Sequence, residues 1–96
     1  MKMLMVCCES GLDEAVVSAL EEVGAGGYTV CRSLTGSGAT GRKHDNPIWP
    51  GSVVVIHTCV GEELIPAIVD RVRAARDEYV KTPGCRIFEV PVQQLL

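Results

Sequence analysis

The chain has 96 residues, 47% of them apolar and 22% charged, with a formal net charge of −3. That is the length of one small domain with an ordinary globular composition, and the acidic balance (pI ≈ 5.3) argues against a nucleic-acid-binding protein. Every apolar run is far shorter than the ~18 residues of a membrane span, and Met1–Cys8 is too short for a signal-peptide core, so a cytoplasmic protein without membrane insertion is expected.

Residues 2–8 read as a first strand, apolar nearly throughout. Ser10 then offers an N-cap. Over 12–23 the period changes to that of a helix, with Leu12, Val16, Ala19, Leu20 and Val23 on one stripe. Asp13 and Glu14 fall in its first turn, where the helix dipole favours negative charge. Gly24, Gly26 and Gly27 end it. Tyr28 to Leu34 is the second strand.

Next comes Gly36-Ser37-Gly38-Ala39-Thr40-Gly41, which spells G-x-G-x-x-G behind a β-branched run, as a dinucleotide-binding fingerprint would. The continuation excludes that reading. Residues 42–51 are polar, contain Pro47 and Pro50 and have no helical apolar period. The glycines therefore open a long strand-to-strand loop, about residues 37–51. In a compact domain such a loop is functional or disordered.

Residues 52–60 are the third strand. A second helix begins at Gly61-Glu62-Glu63 and runs to about Asp77, with Leu64, Ile68, Val72 and Ala75 inward. Pro66 lies near its start, where a missing N–H is tolerated. Pro83-Gly84 breaks the chain, and residues 85–92 form the fourth strand, with Pro91 marking its edge or end.

The order βαββαβ predicts an α+β, ferredoxin-like sandwich: one antiparallel sheet with both helices on one face, all within a single domain, 1–96. The other face of such a sheet is polar when it meets water. Here Met3, Met5 and Cys7 alternate with Leu4, Val6 and Cys8, and residues 53–56 are Val-Val-Val-Ile, so both faces are apolar. With no third layer encoded, the expected cover is another copy of the chain.

The chemistry-bearing residues are few. The glycine segment has backbone N–H groups suited to a phosphate, and Arg42, Lys43 and Arg86 supply cationic charge. His57 sits inside an apolar strand, either as a core or interface histidine or as a ligand near a cleft. His44 and Trp49 belong to the loop, as candidate partner contacts. For Trp49 the alternative to docking is a staple of the loop to the body. Five cysteines, Cys7, Cys8, Cys31, Cys59 and Cys85, contain no C-x-x-C pair and read first as small buried hydrophobes. No activated nucleophile is recognisable, and Glu62 and Glu63 read as helix-start charges, so no catalytic residue and no enzyme is expected.

Four segments, in order, resemble the PII family of signalling proteins. These are Ser18–Val30, containing A-L-E-E-V-G-A-G-G-Y-T-V; the pair Gly36 and Gly38 opening a long loop; Val54–Val60 followed by Gly61-Glu62-Glu63; and Gly84-Cys85-Arg86-Ile87-Phe88-Glu89-Val90-Pro91-Val92. The resemblance implies a homotrimer whose sheets face a common centre. It implies an adenine nucleotide, ATP, ADP or AMP, or another small anion, in the clefts between subunits, and no metal. It also implies that the 37–51 loop docks on a target protein such as a transporter or enzyme, through Arg42, Lys43, His44 and Trp49. By position, Thr29 is the adenine contact, Gly36, Ser37 and Gly38 lie against the nucleotide, Cys59 is near the base, and Arg86 stands where the family has a phosphate-binding lysine. The loop is shorter than in nitrogen-regulating members and lacks a tyrosine. Pro83-Gly84-Cys85 replaces Gly-Asp-Gly, and no arginine-bearing tail follows, so ADP or AMP is as well suited as ATP. A second reading is a trimeric metal-binding protein similar to the CutA relatives, with Cys7, His57 and Cys59, joined by Cys8, as ligands for zinc or copper(I).

Overall fold

The structure, a computed structural model, describes residues 1–34, 37–38, 41–42 and 53–96. The elements are β1 (Lys2–Glu9), α1 (Asp13–Glu22), β2 (Thr29–Leu34), β3 (Ser37–Gly38), β4 (Gly41–Arg42), β5 (Val53–Val60), a 3-10 turn (Glu62–Leu64), α2 (Ile65–Asp77) and β6 (Cys85–Pro91). Four strands form one antiparallel sheet in the order β2-β5-β1-β6. With the two helices on one face this is the ferredoxin-like arrangement predicted from the order of elements.

The strand period of two divides the central strands cleanly. Leu4, Val6 and Cys8 of β1 and Val54, Ile56, Thr58 and Val60 of β5 are buried, between 0 and 4% exposed. All but the polar Thr58 form the core together with Leu12, Val16, Ala19 and Leu20 of the first helical segment and Ile68 and Val72 of α2. The apolar stripes read from the sequence are thus the inner faces of both helices. Arg71 of α2 and Glu22 of α1 are ion-paired across the outer side of the helix layer.

Helix α1 starts differently from expectation. Its N-cap is Leu12, which makes no side-chain capping bond, and Ser10 does not cap. Gly11 takes φ +105, a left-handed conformation that glycine adopts without strain. The carboxylate of Asp13 reaches back to accept the Gly11 N–H at 3.0 Å. The other end follows the glycine rule. Gly24 has φ +80, the Ala25 N–H donates to the Leu20 carbonyl at 2.9 Å, and the Gly24 N–H donates to the Glu21 carbonyl at 3.2 Å. That pair of bonds is a Schellman motif.

Helix α2 begins at Ile65 rather than at Glu62, because Gly61–Leu64 form a tighter turn with Pro66 in the first α-helical turn behind it. The glycine segment forms a two-residue ribbon, with Ser37 opposite Arg42 and Gly38 opposite Gly41. Two glycines of the G-x-G-x-x-G motif therefore face each other across paired strands, with Gly41 itself in β4. Gly36, Lys43, His44 and Trp49 lie outside the described residues.

Candidate functional site

The sheet face away from the helices carries five of the predicted residues: Thr29, Cys7, His57, Cys59 and Arg86. In register across β2, β5, β1 and β6 it presents rows of side chains. Thr29, His57, Met5 and Phe88 form one row, and Cys31, Val55, Cys7 and Arg86 the next. Beyond the first row, Cys59, Met3 and Val90 form a third. Met3, Met5, Cys7, Val53, Val55 and His57 are half-buried in the single chain, whereas Cys31, Cys59, Phe88 and Val90 are exposed. In these three rows the surface is apolar, with His57 and Arg86 as the ionisable groups besides cysteine thiols.

The register decides which predicted residues can act together. Thr29 is on edge strand β2 and Arg86 on the opposite edge strand β6, three strand spacings apart. At about 4.8 Å per spacing, some 14 Å separates the two backbones. Cys59 is on β5, on the same side as Thr29 and at the other end of the sheet from Arg86. Thr29 and Cys59 thus belong to one half of the face and Arg86 to the other. Ser37, Gly38 and Arg42 are in the separate β3–β4 ribbon.

Each half is held by bonds the sequence did not announce. Thr58, 2% exposed on the helix side of β5, donates its hydroxyl to the Gly27 carbonyl at 2.6 Å. This ties the approach to Thr29 onto β5. On the other side, the Tyr79 hydroxyl donates to the Gly11 carbonyl at 3.2 Å, and the Glu9 N–H donates to the Gly84 carbonyl at 3.0 Å. These contacts pin the connection between α2 and β6 onto the β1–α1 turn just before Arg86. A cavity of ≈ 160 Å³ lies between the two loops, bordered by Ser10, Gly11, Tyr79 and Lys81.

Asp13 has a larger role than a helix-start charge. It is 6% exposed and takes the Arg32 guanidinium on Oδ2, with Nη2 at 2.9 Å and Nε at 3.1 Å, while Oδ1 holds the Gly11 N–H. Burial alone would raise its carboxyl, but the Gly11 N–H and Arg32 outweigh burial and hold it below the usual carboxylate range. The pair fastens β2, next to Thr29 and Cys31, to the start of α1. Its sequence signal was weak, because the partners stand 19 residues apart in different elements.

The metal reading fails on the same register. Cys7 is opposite Val55, and Cys59 is four residues further along β5, roughly 13 Å away at strand rise. Ligands of one zinc or copper ion stand only ~4 Å from each other. Cys8 is on the helix side, 3% exposed, with its thiol pushed up to about 12, first by burial and then by the neighbouring Cys85 and Asp13. Among the described residues no cluster of three or more His, Cys, Asp or Glu side chains could hold a metal ion. A groove of ≈ 370 Å³ between α2 and β6, bordered by Arg73, Arg76 and Cys85, contains none of the predicted residues. Among the described residues no helix is long and apolar enough to cross a membrane.

Comparison with known proteins places this architecture. The family model described as Nitrogen regulatory protein P-II matches residues 1–96. The fold is similar to that of CPII, a nitrogen regulatory PII-like protein from Thiomonas intermedia K12, bound to ADP, AMP and bicarbonate. That match has 21% identity and a TM-score of 0.67 over 93% of this chain and 86% of that one. The apo form of CPII is similar at 20% identity and a TM-score of 0.68, over 95% and 89% of the two chains. A PII-like signaling protein from Thermus thermophilus is similar at 25% identity and a TM-score of 0.66, over 93% and 83%. No curated protein matches the chain.

Proposed function

The chain belongs to the nitrogen regulatory protein P-II family, and from that premise we propose that it is a homotrimeric cytoplasmic sensor. In this reading it binds an adenine nucleotide, or another small anion, between protomers and signals to a target protein through the 37–51 segment.

One observation carries the proposal: the two ends of the expected nucleotide site are on opposite edges of one sheet face. Thr29 on β2 and Arg86 on β6 are separated by the half-buried row of His57 and Met5. On one chain a ligand touching both would lie across the open face with nothing to cover it. A cyclic arrangement brings the β2 edge of one copy to the β6 edge of the next, which supplies both halves and covers the apolar face at once. In each cleft Thr29 and Cys59 from one protomer would meet the base, and Arg86 from its neighbour a phosphate. Gly36, Ser37 and Gly38 would lie along the ligand. CPII, similar in fold, has been crystallised with ADP and AMP, and this supports an adenine nucleotide over other anions.

Ligand contact at the glycine segment would bias the chain that continues from it. Arg42, Lys43, His44 and Trp49 would then bind or release a partner such as a transporter or enzyme. The role is regulatory, without chemistry on the ligand.

Titration calorimetry with ADP, AMP and ATP tests the site. At least one nucleotide is expected to bind with one site per protomer. Arg86→Ala is expected to weaken it by about 10- to 100-fold, the worth of a charge-assisted hydrogen bond, with the trimer intact. A folded trimer giving no heat with any of the three would reject the nucleotide reading.

A further inference from the structure

Two of the five cysteines are direct partners across the β1–β6 ladder. Cys8 on β1 is opposite Cys85, the first residue of β6. Directly opposed residues of an antiparallel pair point to the same side, here the helix side. The Glu9 N–H donates to the Gly84 carbonyl at 3.0 Å, which makes Glu9 and Gly84 a hydrogen-bonded pair. The alternation of the ladder then makes Cys8 and Cys85 a non-hydrogen-bonded pair, whose Cα atoms stand about 4.5 Å apart. Disulfides span Cα separations of about 4.4–6.8 Å. Both thiols are free in the structure.

The other cysteines are not so placed. Cys7 and Cys31 lie on the opposite face, opposite Arg86 and Val55, and Cys59 is opposite Met3. Cys8 and Cys85 are the only two of the five in register. Their access is unequal, as a two-step exchange requires. Cys85 is half-buried and borders the ≈ 370 Å³ groove between α2 and β6, whereas Cys8 is 3% exposed behind it.

We infer that Cys8 and Cys85 form a reversible modification site, a cross-strand disulfide made and broken by exchange with a small-molecule disulfide. The Cys85 thiolate attacks one sulfur of the reagent, forms a mixed disulfide and releases one small thiolate. Cys8, on losing its proton to solvent, attacks the Cys85 sulfur and releases the second small thiolate. Two protein thiols are oxidised and one reagent disulfide is reduced to two thiols, so atoms and electrons balance. Burial is the main cause that raises both protein thiols above their ordinary range. Exchange at neutral pH is accordingly slow, and the reduced form persists in a reducing compartment.

The consequence is local. Cys85 adjoins Arg86 and follows the Pro83-Gly84 break, so the bond would anchor the start of β6 covalently to β1 one residue from the proposed anion contact. The inference does not depend on the nucleotide reading, because the pair lies on the helix side and needs no second copy.

The test is a peptide map of folded protein exposed to oxidised glutathione at about pH 8.5, near the ordinary thiol value, and then alkylated. The expected product is an intramolecular link between Cys8 and Cys85 that dithiothreitol reverses and that raises the thermal midpoint by more than about 5 °C. Cys7→Ser is expected to keep the link. Cys85→Ser is expected to lose it and leave at most glutathione adducts. Free or singly glutathionylated Cys8 and Cys85 in the folded wild type would overturn the inference, and so would a link from Cys85 to Cys7. The wild-type map alone decides the matter even where a variant fails to fold.

Discussion

The two faces of the sheet are built from the same strands and meet different fates. On the helix side, Leu4, Val6, Val54 and Ile56 are sealed at 0–1% exposure under the two helices. On the other side, their neighbours Met3, Met5, Val53 and Val55 are equally apolar yet stay half-open, flanked by exposed Phe88 and Val90. Composition does not distinguish the faces; only the presence of a covering layer does. In the proposed trimer this open apolar face is the one that further copies of the chain would cover, with the same residue types that build the core.

Matched substitutions on the two faces sharpen that contrast, and they give the largest expected effects. Ile56→Asp buries an unpaired carboxylate between sheet and helices and is expected to abolish cooperative unfolding by circular dichroism. Met5→Asp, one row position away on the open face, is expected to keep the fold, with protomer stability within about 1 kcal/mol. It should nevertheless dissociate the protein to monomers in sedimentation. A Met5→Asp protein that unfolds outright would mean that the two faces are not independent.

Next in size is the tie between α1 and β2. Asp13→Asn breaks the pair with Arg32 and is expected to cost about 1–2 kcal/mol by urea denaturation. The pH dependence has a definite sign. The native carboxyl is held below its ordinary value, so between the two values the native state binds fewer protons than the unfolded chain. The contribution is present above the unfolded value, about 3.9, and is lost as pH falls through the native one. Wild-type stability should therefore decline in acid more steeply than that of Asp13→Asn. Equal acid slopes would remove Asp13 from the account.

The smallest effect concerns the approach to Thr29. Thr58→Val removes the hydroxyl that reaches the Gly27 carbonyl and is expected to cost about 1 kcal/mol. Amide exchange should accelerate at residues 27–29 with little change in the core strands. Unchanged exchange there would mean that the Thr58 bond does not hold this half of the site.

The fold was legible in the sequence because its signals are local. Strand alternation, the Leu12–Val23 stripe and the glycine that closes α1 each act within a few residues. The same holds for the surplus apolar face, which follows from Met3, Met5 and Cys7 being apolar where water would want polar residues. The start of α1 departs from the sequence pattern because Ser10 matches a capping residue by type alone. The structure uses Gly11 at φ +105 and the Asp13 carboxylate instead, and a backbone conformation is not written in residue types. The site was legible only as a set of residues. Register places Thr29 and Arg86 on opposite edges and spreads Cys7, His57 and Cys59 along the strands, and register depends on pairings between distant segments. The bonds that hold the site, Thr58 to Gly27, Tyr79 to Gly11 and Arg32 to Asp13, span 31, 68 and 19 residues, beyond any periodic pattern.

In the proposed trimer, further copies of the chain cover the open face and bring Thr29 of one protomer to Arg86 of the next. Sedimentation equilibrium of the wild type at micromolar concentration tests this arrangement most directly. One species of three times the 10.3 kDa chain mass is expected, with ADP or AMP leaving that mass unchanged while binding once per protomer. A monodisperse 10.3 kDa species would contradict it.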